Sequence, residues 1–101
     1  MIVTTTPGIE GRNIHSYLGI VAGEGYRWVD LVRLFSTPAS FMAERKQIIA
    51  AARVTALEEL ASAAASLGAD AVVGVQLDHE IAGPNGSAFL VTASGTAVKL
   101  G

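Results

Sequence analysis

The chain contains no cysteine, and charged residues make up only 16% of its 101 positions. Without cysteine it can form no disulfide, no zinc site with thiolate ligands and no iron–sulfur cluster. The absence of cysteine also agrees with a reducing compartment. The first seven residues lack a basic segment followed by an apolar one, so we expect a cytoplasmic protein without a signal peptide.

Two further absences exclude classes of partner. The sequence has no uninterrupted apolar run of about 18 residues, so we expect no membrane-spanning helix. The net charge is -2, and the seven basic residues are scattered along the chain instead of forming a stripe. A protein that follows a phosphate backbone needs clustered basic side chains, so we expect no binding to nucleic acid.

The chain is rich in apolar residues. Half of its residues are hydrophobic, and the mean hydropathy is +0.45. We expect one domain over residues 1–101, and a domain of this size buries only about 60–65% of the surface of its unfolded chain. So much apolar surface exceeds what a small monomer hides. The composition therefore predicts a homo-oligomer, in which copies of the chain cover one another.

Turn residues divide the first 37 positions into short elements. The predicted elements are a strand at Met1–Thr6, a strand at Asn13–Val21 and a short helix at Asp30–Phe35. Gly19 is a candidate for a β-bulge or a close backbone approach. Gly23 and Gly25 are expected to end the second strand, which places Tyr26 and Trp28 in a loop.

A long helix is predicted over Ala39–Leu67. Thr37 is a candidate N-cap, Pro38 suits the first helical position, and Gly68 suits the left-handed residue that ends a helix. Apolar residues recur at steps of three and four, which is typical of a helix with one buried face. The members of this stripe are Ile49, Ala52, Ala56, Leu60, Ala63 and Leu67.

The last third of the chain predicts a β-hairpin. Strands at Asp70–Asp78 and Ser87–Leu100 flank a turn at Ala82–Gly86. In the first strand, alternation predicts one shared face for Ala71, Val73, Val75 and Leu77. The second strand is longer than its partner, so we expect its end to pair elsewhere, for example with another copy. The order β-β-α-β-β predicts an α+β two-layer sandwich, with an antiparallel sheet on one long helix.

Five segments carry a resemblance to a known family. They are Thr4–Gly11, Gly19–Glu24, Ala52–Leu60, Leu67–Val75 and Ser94–Val98. In these segments the chain resembles the YbjQ-like family of uncharacterised bacterial and archaeal proteins, labelled "putative heavy-metal-binding". The resemblance covers nearly the whole chain and departs from the family pattern over residues 25–44. It implies a dodecin-subunit-like fold, assembled into a ring-shaped homopentamer, and no established reaction.

The residues that could hold a metal are few. Asp78, His79 and Glu80 are consecutive, so on a strand the two carboxylates share one face while His79 lies on the other. His15 is a distant fourth candidate. Without cysteine these donors suit a hard cation better than a soft one, and a ring would bring several copies of one carboxylate together. The alternative is that all four are solvated surface residues.

Trp28, with Tyr26 nearby, is the candidate for binding a cofactor. An aromatic pair of this kind could stack on a planar, flavin-like ligand, as the dodecin-like fold implies, or it could anchor a contact between subunits. No cofactor is identified by the sequence itself.

Catalysis is not predicted. Ser87 and Ser94 lie in no nucleophile motif, and Gly19–Gly25 is not followed by the Gly-Lys-Ser/Thr of a phosphate loop. We therefore expect a non-enzymatic oligomer that binds a metal or a small ligand. The alternatives are a ring that binds a planar cofactor and, least favoured, a small hydrolase.

Overall fold

One long helix packs on one face of a four-stranded sheet in the computed structural model, which describes residues 1–28 and 38–101. The elements are β1 (Ile2–Val3), β2 (Ile14–Trp28), α1 (Pro38–Ser66), β3 (Ala71–Ala82), a 3₁₀ turn (Pro84–Gly86) and β4 (Ala88–Leu100). This order confirms the predicted α+β two-layer fold. The short helix predicted at Asp30–Phe35 and the cap at Thr37 lie outside the described residues.

The strands follow the order β1-β3-β4-β2 across the sheet. β1 pairs with β3 in parallel, and the other neighbours are antiparallel. The sheet is therefore mixed and not wholly antiparallel as predicted, because the sequence signals do not show on which strand β1 pairs. β4 is therefore a central strand, with β3 on one side and β2 on the other. The expectation that the end of the last strand pairs beyond its hairpin partner is confirmed. The partner is β2 of the same copy and not another copy, because β2 runs along β4 from Ile14 opposite Leu100 to Trp28 opposite Ala88.

β2 is longer than predicted because its glycines do not end it. Gly23 and Gly25 are buried and point at α1, where a Cβ atom would overlap the carbonyl oxygens of Ala56 and Ala52 respectively. Glycine at these two positions lets the helix backbone approach the strand backbone closely. Tyr26 and Trp28 consequently lie on the strand and not in a loop.

A β-bulge interrupts β2 at the position predicted for it. Tyr17 lies opposite Val98, and Gly19 lies opposite Ala97, so one extra residue is inserted on β2. Gly19 has φ +130°, a conformation that L side chains rarely adopt. The glycine therefore permits the irregularity.

The C-terminal end of α1 is a Schellman motif. Gly68 has φ +77°, its N–H donates to the carbonyl oxygen of Ala65 at 2.9 Å, and the N–H of Ala69 donates to Ala64 at 3.1 Å. These bonds satisfy carbonyl groups that the helix leaves unpaired. The prediction that Gly68 ends the helix is confirmed.

The buried face of α1 is built mainly from alanine. Ala52, Ala56 and Leu60 of the predicted stripe are fully buried against the sheet, and so is Ala64, which the stripe does not include. The other members are less buried, because Ile49 and Ala63 are half-buried and Leu67 is exposed. Small side chains let the helix lie close to β2 and β4, against which it packs; it contacts β3 much less. The inner side of β3 therefore lies beside the helix and not beneath it.

A bulge in β3 divides the core in two. Gly74 has φ +62°, and the register shifts by one residue between Val73 and Gln76. Val75 belongs to the main core under the helix, whereas Ala71 and Val73 belong to a smaller core on the opposite face. The prediction that Ala71, Val73, Val75 and Leu77 share one face is wrong, because the bulge reverses the alternation.

Candidate functional site

The face of the sheet opposite α1 carries many exposed side chains, and we call it the outer face. The smaller core covers one end of it, where Ile9 and Ile14 pack on Val98 and its neighbours. The rest consists of rows of residues that face one another across β3, β4 and β2. In order these rows are Gln76–Ser94–Ala22, Asp78–Thr92–Glu24, Glu80–Leu90–Tyr26 and Ala82–Ala88–Trp28.

Three carboxylates share this surface. Asp78 and Glu24 flank Thr92 in one row, and Glu80 follows Asp78 in the next row on the same strand. Asp78 and Glu24 are two strand spacings apart, which places their Cα atoms about 10 Å from each other. The four rows contain no basic residue, so this part of the sheet is acidic.

The register separates the two histidines from these carboxylates. His79 pairs with Val91 on the helix side of the sheet, as the alternation of the strand predicts. His15 lies at the other end of β2, between residues opposite Leu100 and Lys99. Leu100 and Thr92 are separated by about 26 Å along β4, since each strand residue advances about 3.3 Å. Of the four predicted ligands, only Asp78 and Glu80 share a surface.

No group of three histidine or acidic side chains within residues 1–28 and 38–101 could hold a metal ion in a single copy. A divalent ion such as calcium takes six to eight oxygen ligands, which is more than two or three separated carboxylates supply. Soft metals prefer sulfur, and the chain has no cysteine. The described residues of one copy therefore do not form a heavy-metal centre.

The predicted aromatic pair lies at the end of β2. The rings of Tyr26 and Trp28 meet edge to face, with centroids 5.3 Å apart and an interplanar angle of 89°. Trp28 is 61% exposed. The two side chains therefore form an apolar corner on the outer face, beside Leu90.

The free edge of β2 is partly closed by polar side chains. The carboxylate of Glu59 accepts a hydrogen bond from the Glu24 N–H at 3.3 Å. The guanidinium of Arg27 donates to the Tyr26 carbonyl oxygen and to the Thr55 hydroxyl, both at 2.8 Å. These contacts tie the strand edge to α1 and occupy backbone groups that another strand would use.

Asp70 connects two strands at the end of the sheet that lies away from these rows. The backbone N–H of Leu100 donates to it at 2.9 Å and lowers the pKa of Asp70 below its ordinary value. Lys99, at 3.8 Å, and Arg12 act in the same direction, while partial desolvation opposes them. Asp70 thus joins the start of β3 to the end of β4, and its role is structural.

Two residues of this surface, Glu24 and Thr92, are not among the site residues predicted from the sequence. Glu24 was placed beyond the predicted end of β2, so no strand partner could be assigned to it. The signal lay in the alternation of Gly23 and Gly25 with Glu24 and Tyr26, which has the period of a strand. Thr92 joins this surface because β2 pairs with β4 and brings Glu24 opposite it.

A family model and two related proteins point to the same protein family. The family model YbjQ_1, described as "Putative heavy-metal-binding", matches residues 1–101. Two UPF0145 proteins from Clostridium botulinum, strains Alaska E43 and Eklund 17B, are each 43% identical to this chain over 103 aligned residues. In both cases the match covers 97% of each chain.

A solved structure shares the fold. It is the crystal structure of a protein of unknown function, of the DUF74 family, from Pediococcus pentosaceus ATCC 25745. The TM-score is 0.76 at 19% sequence identity, and the match covers 100% of this chain and 98% of that one. At this identity the likeness supports the fold and nothing further. Within the described part of our chain, no helix is long and apolar enough to cross a membrane.

Proposed function

Because the chain belongs to the YbjQ_1 family, we propose that it is a non-catalytic, homo-oligomeric protein whose copies meet along the outer face and hold a hard divalent cation there. One observation carries this proposal: among residues 1–28 and 38–101, a helix covers only one face of the sheet. The other face presents carboxylates and apolar side chains together, including Ile20, which is 85% exposed. A location in the cytoplasm agrees with the absence of cysteine.

Self-association would cover the apolar part of this surface. Ile20, Tyr26 and Trp28 are all exposed on β2, and β2 borders the acidic rows. Burial of such side chains between copies is favourable by about 25 cal/mol for each Å² removed from water. A ring of five copies, which the family resemblance implies, is a closed arrangement that would cover the same patch on every subunit.

Assembly would also supply the missing cation ligands. In one copy Asp78, Glu80 and Glu24 are too few and too widely spaced to surround an ion. A second copy of the outer face would bring further carboxylates and the Thr92 hydroxyl towards the first. Oxygen ligands of this kind suit calcium, magnesium or manganese, so we propose a hard cation instead of the heavy metal that the family description suggests.

Sedimentation and calorimetry test the two halves of the proposal. We expect a species well above the 10.4 kDa monomer, and we expect Ile20→Lys to reduce its mass. Val54→Lys is the matched control, because Val54 is 54% exposed on α1 and lies away from the outer face. A folded 10.4 kDa wild-type protein at micromolar concentration would contradict the assembly.

The cation is tested by titrating the protein with calcium, manganese, zinc and cadmium. We expect saturable heat with the first two metals, lost in Asp78→Asn and in Glu24→Gln. Glu58→Gln removes an exposed acid from α1 and should change nothing. The absence of heat, or equal heat in all variants, would refute cation binding while leaving the assembly result intact.

A second candidate function rests on the aromatic corner. A planar ligand could stack on the exposed face of Trp28, with Tyr26 as a perpendicular wall. Trp28 is the only tryptophan, so riboflavin bound there would quench its fluorescence directly. We expect saturable quenching that is weakened in Tyr26→Leu, and unsaturable quenching would exclude this function.

A further inference from the structure

A cleft opens on the helix side of the sheet, beside the N-terminal half of α1. It exists because α1 lies over β4 and β2, so the described part of the helix leaves the inner side of the β3 end open. The cleft has a volume of about 220 Å³. Ile49 from α1 and Ile81 and Phe89 from the hairpin form apolar walls, and Arg45 and His79 line it as well.

The strand register explains why these side chains meet. His79 pairs with Val91, and Ile81 pairs with Phe89, all on the side of the sheet that faces the helix. Arg45 and Ile49 are one helical turn apart, so they lie on the same face of α1. Two elements therefore converge on one cavity, and neither builds it alone.

The guanidinium of Arg45 is held at this cavity. Its central carbon lies 5.4 Å from the centroid of the Phe89 ring, a cation–π contact that keeps the charge against the cleft. Arg45 is half-buried, so its charge is less screened than that of a fully exposed side chain. A guanidinium is a planar donor that binds a carboxylate through two hydrogen bonds.

The volume limits the ligand to a small molecule. An apolar cavity of about 150 Å³ is large enough to hold benzene, whereas pockets for drug-sized ligands begin at about 300 Å³. The volume of this cleft lies between these two values, which leaves room for a ligand with one ring and a short chain. The apolar walls of the cleft suit an aromatic ring, and the Arg45 guanidinium suits an anionic group at the end of the ligand's chain.

We propose that this cleft binds a small aromatic carboxylate, with its ring against Ile49 and Ile81 and its carboxylate paired with Arg45. His79 is placed to donate a second hydrogen bond to the same group. Glu80 and Leu90 also border the cleft, but the strand register turns their side chains towards the outer face. The cleft and the outer face are on opposite sides of the sheet, so this proposal is independent of the proposed function.

The experiment is an NMR titration of ¹⁵N-labelled protein with 3-phenylpropionate. Phenethylammonium is the matched probe, because it has the same ring and the opposite charge. We expect saturable amide shifts at His79, Ile81 and Phe89 with the carboxylate, and at least tenfold weaker binding of the ammonium ion. Arg45→Gln should weaken phenylpropionate binding about tenfold, since it removes a charge-assisted hydrogen bond.

Lys46→Gln is the control for charge, because Lys46 is the exposed neighbour of Arg45 and does not line the cleft. Ile49→Trp is a second variant, which fills the cavity and should abolish binding while the helix remains folded by circular dichroism. No saturable shift up to about 10 mM would overturn the proposal. Equal binding of the two probes, equal effects of Arg45→Gln and Lys46→Gln, or a change of oligomeric mass in Arg45→Gln would overturn it too.

Discussion

Gly25 on β2 lies directly against the carbonyl oxygen of Ala52 on α1, with no room for a Cβ atom between them. We therefore expect Gly25→Ala to destabilise the fold by about 3 kcal/mol or more, because two backbones would have to separate. Gly8→Ala is the control, since a Cβ atom at Gly8 meets nothing within 4 Å. Urea unfolding at one fixed protein concentration measures both variants, and equal midpoints would contradict this contact.

Two leucines of α1 should respond differently to truncation. Leu60 is 0% exposed and packs in the main core, so Leu60→Ala should cost about 2–5 kcal/mol through lost burial and the remaining cavity. Leu67 is 49% exposed at the end of the helix, so Leu67→Ala should cost less than about 1 kcal/mol. Thermal unfolding of both variants gives the comparison. Similar losses would mean that another copy covers Leu67.

At the bulge in β3, we expect a substitution of Gly74 to strain the backbone without causing a steric clash. A Cβ atom at Gly74 meets nothing within 4 Å, but its φ of +62° disfavours any residue with a side chain. Gly74→Ala should therefore cost about 1–2 kcal/mol, and Gly74→Asn should cost less because asparagine tolerates this conformation. Unfolding by denaturant measures the free energy of unfolding of both variants and so tests this order. The reverse order would show that the bulge is not retained in solution.

Asp70 predicts a dependence of stability on pH. Its folded pKa lies below the ordinary value of 3.8, chiefly because the Leu100 N–H donates to the charged carboxylate. A carboxyl group with a depressed folded pKa stabilises the fold above its unfolded pKa, and this contribution disappears as the pH falls through the folded pKa. Asp70→Asn should therefore lower the melting temperature at pH 7, and the difference from wild type should shrink by pH 3. Asp78→Asn is the control, and a difference independent of pH would contradict the assignment.

The sequence predicted the elements whose signals are local. The alanine spacing and the Pro38 and Gly68 signals located α1 to within one residue at each end, and the turn before Ser87 located the hairpin. The prediction for β2 ends the strand too early, because glycine in a strand usually weakens the strand. Here Gly23 and Gly25 serve a contact with a helix more than 25 residues away, and no local pattern encodes such a contact.

The candidate site was predicted only in part for the same reason. Alternation correctly placed Asp78 and Glu80 on one face and His79 on the other. Glu24 could not be added, because its position beside Thr92 depends on which strand pairs with the second side of β4. The cleft at Arg45 was missed as well, since it requires the helix to lie off-centre on the sheet.

The side chains bound along the β2 edge bear on whether further strands can add to the sheet. A long unpaired strand is a template to which further chains can add indefinitely, and fibres grow in this way. Glu59 and the Arg27–Thr55 pair occupy the backbone of β2 at Glu24 and Tyr26. A strand that added at this end of β2 would therefore have to displace hydrogen bonds to side chains before it could form its own.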